Sequence, residues 1–227
     1  MTRAYGEREV LSDLTLSFGA EVVAFVGPPG AGKTVLMRLL AGVEAPTRGW
    51  ITVDGIALGA ASSEVLSEYR RRLAILPQQT VLVPDQSAEH NVALPLFVER
   101  VSPGRALERA AGALAGLGFG HLLGAKVSAL SLTERRLVCL ARALVREEAS
   151  LVLADDPVGG LDAVGQQRVV AALRSMADRG ATVVVCGQQP GLPGLEDART
   201  IFLASGRIAF DSGSLPAHEA DRAGVGA

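Results

Sequence analysis

The chain has 227 residues, of which 48% are hydrophobic and 20% charged, so it has enough apolar material for a folded core and too little charge for a disordered chain. Its 22 basic and 24 acidic side chains leave a formal net charge of −2, which gives the surface as a whole no field that would attract nucleic acid or anionic lipid. No apolar run approaches the ~20 residues that span a bilayer, and the N-terminus lacks the apolar stretch of a signal peptide.

The first part of the chain predicts strands on either side of one helix. Alternating and β-branched apolar runs predict the strands, and apolar residues at helical spacing followed by glycine predict the helix. In chain order these segments are 14–18 and 21–26 (strands), 33–42 (helix), 50–53 (a strand entering a turn at Asp54 and Gly55) and 73–76 (strand).

The middle of the chain is helical in pattern. Three amphipathic stretches, at 91–99, 104–117 and 133–145, predict successive helices. We therefore expect one domain over 1–227, with a core formed by 1–85 and 148–213 and a helical subdomain at about 86–147.

The last part returns to strands. Continuous apolar runs at 150–154 and 181–186, separated by a helix over 163–178, predict strands of a parallel sheet that is covered on both faces. A closing hairpin is predicted at 200–203 and 207–210, and the polar tail 214–227 is expected to be loosely held. The fold class is α/β.

The two cysteines, Cys139 and Cys186, lie in apolar surroundings and lack a CxxC spacing. Three histidines scattered along the chain suggest no zinc site either. Both cysteines are therefore expected to be ordinary core residues.

A glycine-rich segment between a predicted strand and a predicted helix matches the pattern G-x-x-x-x-G-K-[ST]. Glycines let backbone N–H groups curl around phosphate oxygens, the lysine reaches the outer phosphates, and the hydroxyl binds Mg²⁺. The segment therefore predicts a nucleotide site. Its residues are Gly27, Pro28, Pro29, Gly30, Ala31, Gly32, Lys33 and Thr34, with Val35 following.

A second candidate segment is the apolar strand that ends in Asp155, Asp156 and Pro157. One carboxylate there can hold Mg²⁺ and its neighbour can activate a water molecule, although a strand followed by Asp-Asp-Pro is also compatible with a simple turn.

Taken together, these motifs make the chain resemble the nucleotide-binding subunit of an ABC transporter. Residues 91–96 further resemble the short ATPases of the lipoprotein-release, macrolide-export and cell-division group. The motifs follow the family's order: Tyr5 (the aromatic that stacks on adenine), 27–34 (Walker A), Gln78 (Q-loop), 130–134 (signature), Asp155 (Walker B) and 160–162 (D-loop).

The resemblance implies a fold and a set of site residues. The fold is a P-loop, RecA-like core with an N-terminal antiparallel β portion and an inserted helical subdomain. The cofactors are ATP and Mg²⁺. By the resemblance, the catalytic residues are Lys33, Asp156 and Gln188, the metal ligands are Thr34, Gln78 and Asp155, and the residues facing the opposite subunit's ATP are Ser131, Leu132, Thr133, Glu134 and Asp162.

The signature departs from the family pattern, because Leu132 and Thr133 replace two glycines. Side chains there would obstruct the approach of backbone N–H groups to the γ-phosphate bound by the opposite subunit. The same segment also fits a simple capping box, in which Ser131 and Glu134 stabilise a helix start with no ligand. Both interpretations are kept open.

Two further departures concern hydrolysis. Asp156 stands where the family has a catalytic glutamate, and a displacement near 1 Å can cost about 10²-fold in rate. Gln188 stands where the family has the switch histidine. Since general-base assistance is typically worth about 10² to 10⁴ in rate, we expect the chain to bind Mg-ATP and to turn it over slowly.

The resemblance also implies partners and a location. The expected partners are membrane-spanning transporter subunits and a second ABC ATPase, in a homodimer or a heterodimer, at the cytoplasmic side of the cell membrane and without nucleic acid. A hydrolysis-deficient ATP clamp paired with a complete ATPase is the alternative function. A P-loop kinase outside the ABC family is a third possibility, which the order of Gln78, Asp155 and Asp162 disfavours.

Overall fold

A computed structural model describes residues 1–146, 148–188 and 194–213. The helices of the described residues are Lys33–Leu40 (α1), Ser63–Arg71 (α2), Ala88–Val98 (α3), Pro103–Gly116 (α4), Leu132–Leu144 (α5) and Ala163–Asp178 (α6). The strands are Arg3–Tyr5 (β1), Arg8–Leu11 (β2), Val22–Val26 (β3), Thr52–Val53 (β4), Ile56–Ala57 (β5), Leu73–Leu76 (β6), Leu151–Asp155 (β7), Thr182–Gly187 (β8), Arg199–Ala204 (β9) and Arg207–Asp211 (β10).

The centre of the molecule is a six-stranded sheet in the order β10-β9-β3-β8-β7-β6. Strands β6 to β9 and β3 pair in parallel, and β10 closes the sheet as an antiparallel hairpin with β9. Val26 is opposite Gly187, and Asp155 is opposite Cys186. The carboxyl ends of β3, β8 and β7 therefore meet at one edge of the sheet.

Each face of this sheet carries its own hydrophobic core, because successive side chains of a strand point to opposite faces. Leu153, Val184 and neighbours pack with α1 and β2 on one face. Val152, Val185 and neighbours pack with α6 and the helices α3 to α5 on the other. The unbroken apolar strands thus predicted a doubly covered sheet correctly.

The helices of the middle segment pack as one layer. Helix α3 contacts α4 and α5, and α5 reaches the sheet at β6. The fully buried Asn91 fixes the chain that enters this layer, because its side chain accepts a hydrogen bond from Val83 N at 2.7 Å and donates to Val83 O at 3.0 Å. Each predicted helix of 91–145 is confirmed, with boundaries shifted by one to three residues.

Cys139 and Cys186 are buried, unpaired thiols, as expected. Burial raises the pKa of both thiols above the ordinary value for cysteine. They are core residues.

One prediction of the N-terminal half is wrong. Residues 14–18 are buried alternately as their pattern suggests, but they form no strand among the described residues. The antiparallel pairing forms instead between β1 and β2, around a turn at Gly6 whose φ is 60°. Alternation fixes which side chains are buried, whereas a strand also requires a neighbouring backbone. Helix α2 was not predicted, and the tail 214–227 lies outside the described residues.

Candidate functional site

The loop between β3 and α1 is shaped by glycine. Gly27 and Gly32 have φ values of 154° and 100°, which side chains rarely allow. A Cβ at Gly27 would overlap the carbonyl oxygen of Leu203, and one at Gly32 would overlap the side chain of Leu11. The chain therefore curls tightly between sheet and helix, as the glycine-rich motif predicts.

Lys33, the first residue of α1, lies across this loop. Its ammonium donates hydrogen bonds to the carbonyl oxygens of Gly27 at 2.6 Å and Pro28 at 3.0 Å. A slim ammonium suits this position better than the broad planar guanidinium of arginine. The arrangement holds a positive charge beside backbone N–H groups at a helix N-terminus, which is a site for anionic oxygen.

Thr34 and Asp155 come together across the sheet edge. The hydroxyl of Thr34 donates to Oδ2 of Asp155 at 3.4 Å. Burial raises the pKa of Asp155 above its ordinary value, the Thr34 hydrogen bond lowers it, and the nearby charge of Asp156 raises it further. A cation placed at these oxygens would favour the ionised carboxylate.

The donor set fits Mg²⁺. Hydroxyl and carboxylate oxygens are the ligands that Mg²⁺ prefers, and the ion commonly takes one or two protein carboxylates together with substrate phosphates. The described residues contain no cluster of three or more His, Cys, Asp or Glu side chains that could hold a metal on their own. Thr34 and Asp155 are therefore the residues that would hold the ion beside a phosphate.

Asp156 has an unusual backbone. Its φ is 50°, its N–H donates to Cys186 O at 2.8 Å, and its carbonyl oxygen accepts a hydrogen bond from the guanidinium of Arg136. Arg136 also lies 3.9 Å from Oδ2 of Asp156. A Cβ at Gly159 would overlap the same carboxylate. The carboxylate thus lies between a glycine backbone and an arginine.

Gln188 and Gln78 follow the ends of two strands of the same sheet. Gln188 comes directly after β8, which lies between β3 and β7, and Gln78 lies two residues beyond β6. Both side chains are exposed. The topology therefore gathers the P-loop, Asp155, Asp156, Gln188 and Gln78 along one edge, where parallel sheets place ligands.

The predicted signature segment is a helix start. Helix α5 begins at Leu132 with Ser131 as its N-cap, and the capping box with Glu134 is complete. Glu134 N donates to the Ser131 hydroxyl at 3.2 Å, and the Glu134 carboxylate accepts from Ser131 N at 2.8 Å. Hydrogen bonds from the side chain and backbone of Ser131 lower the pKa of Glu134. The predicted capping box is present, and Leu132 projects into solvent with 78% of its surface exposed.

Asp162 is also a helix cap. Its Oδ1 accepts a hydrogen bond from Gly165 N at 2.8 Å at the start of α6. A hollow of about 410 Å³ lies between the starts of α5 and α6 and includes Thr133 and Asp162 in its lining. The predicted trans-site residues therefore share one surface region.

Tyr5 lies apart from the P-loop residues. Its hydroxyl donates to Glu44, which follows the C-terminal end of α1, and the guanidinium of Arg3 lies 4.5 Å from the ring centre. Since α1 has eight residues and is about 12 Å long, this cluster is at the opposite end of the helix from the P-loop. Thus the described contacts of Tyr5 do not involve the phosphate loop.

Sequence reasoning missed Arg136. Its partner lies 20 residues away in the chain, and no local pattern marks the contact.

A further hollow of about 620 Å³, between 14–20 and 49–54, is lined mainly by apolar side chains and contains none of the candidate residues.

Comparison with known proteins places these observations in a family. The family model described as ABC transporter matches residues 11–159. The lipoprotein-releasing system ATP-binding protein LolD of Bacteroides thetaiotaomicron is 33% identical, over 93% of this chain and 97% of that protein. The macrolide export ATP-binding/permease protein MacB of Marinobacter nauticus is 31% identical over 94% of this chain, which corresponds to 34% of that longer protein.

Solved structures agree with the sequence relatives. A dimeric bacterial ABC transporter cassette superimposes with a TM-score of 0.85 at 27% identity, covering 93% of this chain and 95% of that one. A dimeric ATP-binding cassette in a post-hydrolysis state, bound to ADP and Pi, gives a TM-score of 0.84 at 26% identity, covering 93% and 94%.

Proposed function

The chain belongs to the ABC transporter family as an ATP-binding subunit similar to LolD and MacB, and from this premise we propose that it binds Mg-ATP at the P-loop edge and hydrolyses it slowly. The observation that carries the proposal is the meeting of Thr34 with Asp155 beside the P-loop. A P-loop kinase outside this family, considered from the sequence alone, is ruled out by the family match.

Binding is assigned to the P-loop and its lysine. Backbone N–H groups at the start of α1 take the phosphate oxygens, and Lys33 exchanges its two carbonyl partners for a phosphate. Mg²⁺, when bound, supplies charge neutralisation on the outer phosphates. Thr34 and Asp155 would hold the ion, and Gln78, two residues beyond β6, follows a strand that ends at the same edge of the sheet.

Hydrolysis is assigned to Asp156 and Gln188. Asp156 accepts a proton from the attacking water, and Gln188 donates a hydrogen bond where the family has a histidine. Asp156 is one methylene shorter than glutamate, and Gln188 does not carry a charge. Both differences support slow turnover. A carboxylate displaced by about 1 Å is a poor general base, and an uncharged amide cannot supply the charge that a histidine can carry.

The partners we propose are membrane-spanning subunits and a second ATP-binding cassette. The name of LolD places that protein in a lipoprotein-releasing system, the name of MacB combines ATP binding with a permease, and both solved neighbours are dimers. No helix among the described residues is long and apolar enough to cross a membrane. From the names of these relatives we place the chain at the cytoplasmic face of the membrane, held there by other subunits.

The domain organisation belongs to the same proposal. Residues from about 86 to 147, which contain α3 to α5, form a helical subdomain, and residues 1–85 and 148–213 form the nucleotide-binding core. The packing of α3 against α4 and α5 supports this division.

The function is tested by nucleotide binding and phosphate release with the purified chain. We expect a fluorescent ATP analogue to bind in the presence of Mg²⁺ and to be displaced by ATP, and phosphate release to be slow but above that of heat-treated protein. Failure to bind the analogue in Mg²⁺ would contradict the proposal. Binding without measurable phosphate release would contradict hydrolysis alone and favour the ATP-clamp function.

The partners are tested by purification of the tagged chain from detergent-solubilised membranes of its own organism. We expect polytopic membrane proteins to accompany it. A second ABC ATPase in the same fraction would establish a heterodimer, whereas two copies of this chain would establish a homodimer. Recovery of the chain without any membrane protein would count against the assembly.

A further inference from the structure

We propose that Arg136 is a positioning residue for Asp156, holding the carboxylate at the end of β7 in the orientation that hydrolysis requires. This inference rests on the proposed assignment of Asp156 as the proton acceptor. Arg136 lies on α5, four residues after Leu132, and reaches the sheet edge from the helical layer. Neither the family motifs nor the spacing of residues in the sequence point to it.

The first step of the argument is the backbone of Asp156. A φ of 50° is a left-handed conformation that few residues other than glycine adopt, at a cost of order 1 kcal/mol or more. Such a conformation persists only where the surroundings hold it. Here the N–H is held by Cys186 O at 2.8 Å and the carbonyl oxygen by Arg136. The arginine thus supplies one of the two hydrogen bonds that fix this residue.

The second step is the carboxylate. Arg136 lies 3.9 Å from Oδ2 of Asp156, with side-chain exposures of 19% for the arginine and 33% for the aspartate. On its other side the carboxylate is so close to Gly159 that a Cβ there would overlap it. Charge attraction on one side and a glycine backbone on the other restrict its orientation.

The third step is that the arginine gains little for its own burial. Its Nε is buried and has no hydrogen-bond partner in the described part of the chain. Leaving such a group unsatisfied costs free energy, and the described contacts that offset this cost are those with Asp156. Substituting Arg136 therefore tests mainly its contacts with Asp156.

The test compares steady-state ATPase kinetics of the full chain with those of Arg136→Met. We expect kcat to fall about tenfold and KM for ATP to stay within about twofold, because phosphate binding does not depend on Arg136. Arg136→Lys, which keeps the charge but has a single terminal nitrogen, should retain an intermediate kcat. An unchanged or increased kcat in Arg136→Met would overturn the proposal.

The matched control is Arg135→Met. Arg135 donates to the carbonyl oxygens of Val127 and Ser128, at 3.1 and 3.0 Å, and has no described contact with either aspartate. We expect its kcat to stay within about twofold of the parent. An equal loss in both variants would show that Arg136 acts only through the stability of α5.

A double-mutant cycle with Asp156→Asn separates positioning from an independent effect. In that background Arg136→Met should change kcat by less than about twofold, since the acceptor is already removed. A full tenfold loss there would contradict action through Asp156.

Hydrogen exchange gives a measure that does not require turnover. Peptides covering 156–162 should exchange faster in Arg136→Met than in the parent, and those covering 127–131 should do so in Arg135→Met. If the parent chain releases no more phosphate than Lys33→Ala, the hydrolysis proposed above fails. The hydrogen-exchange result then tests by itself whether Arg136 holds Asp156 in position. Unchanged exchange at 156–162 in Arg136→Met would overturn the proposal.

Discussion

Two helix N-termini of this molecule differ in the backbone that leads into them and in their surroundings. Helix α1 follows Gly32, has no side-chain cap and no acidic residue in its first turn. Helix α5 follows Ser131, has a complete capping box and carries Glu134 in its first turn. An uncapped, positively polarised helix end is available to a phosphate, whereas a capped one is already satisfied by its own side chains. The difference supports the proposal that α1 binds the nucleotide of this chain, and it makes the start of α5 the place to test contact with a second cassette.

The largest expected effect comes from removing the ammonium of Lys33 at the uncapped N-terminus of α1. Lys33→Ala should weaken binding of a fluorescent ATP analogue by at least about 100-fold, because a charge-assisted contact between an ammonium and a phosphate is lost. Equilibrium titration in Mg²⁺ measures it. Lys126→Ala, at the chain's other lysine, is the control and should bind normally. Unchanged affinity in Lys33→Ala would contradict the site assignment.

The second prediction concerns Asp156 and Gln188, the two residues to which hydrolysis is assigned. Asp156→Glu combined with Gln188→His should raise the ATPase rate of the purified assembly by about 10- to 100-fold, since the longer carboxylate and a titratable imidazole restore general-base assistance. Phosphate release at saturating ATP measures the change. No gain in the double variant would show that these two positions do not limit turnover.

The third prediction concerns the capped N-terminus of α5. Leu132→Gly with Thr133→Gly removes the exposed side chains and should strengthen ATP-dependent pairing with a second cassette by about tenfold, a difference of about 1.4 kcal/mol. Analytical ultracentrifugation with and without ATP measures the association. Leu132→Ala with Thr133→Ala, which shortens the side chains without adding glycine flexibility, should give a smaller gain. Weaker pairing in both variants would mean that the side chains themselves form the contact.

The smallest expected effect is on stability at Asp155. Because burial raises the pKa of this carboxyl in the folded chain, folding favours its protonated form. The stability this provides is present below the unfolded pKa, near 4, and is lost as the pH rises through the folded pKa. Asp155→Asn should therefore raise Tm by about 1–3 °C at neutral pH without nucleotide, and the gain should disappear toward pH 4.

The same Asp155→Asn variant should lose Mg²⁺-dependent tightening of ATP binding, since an amide is a weaker ligand than a carboxylate. Asp178→Asn, at the exposed C-terminal end of α6, is the control for Tm. A lower Tm at neutral pH in Asp155→Asn would show that the carboxylate stabilises the ATP-free fold.

Most of the fold could be predicted from local patterns. The strand at 73–76 and the helix at 163–178 have the predicted bounds. An apolar run and an amphipathic period each indicate directly which residues are buried. The pattern at 14–18 recorded burial equally well and still gave no strand, because pairing depends on which backbone lies alongside.

By itself, the sequence determined the chemistry of binding. Only glycine permits the backbone of the P-loop, and only a slim cation suits the position of Lys33, so the motif specifies its structure locally. The capping box at Ser131 was readable for the same reason, since its partners are three residues apart.

Tertiary structure alone decided which distant groups meet. It brought Thr34 to Asp155 across 121 residues of chain, turned Tyr5 toward Glu44 at the far end of α1, and set Arg136 against Asp156. Such contacts are set by strand order and by helix packing on the sheet, and the local sequence pattern carries no record of either.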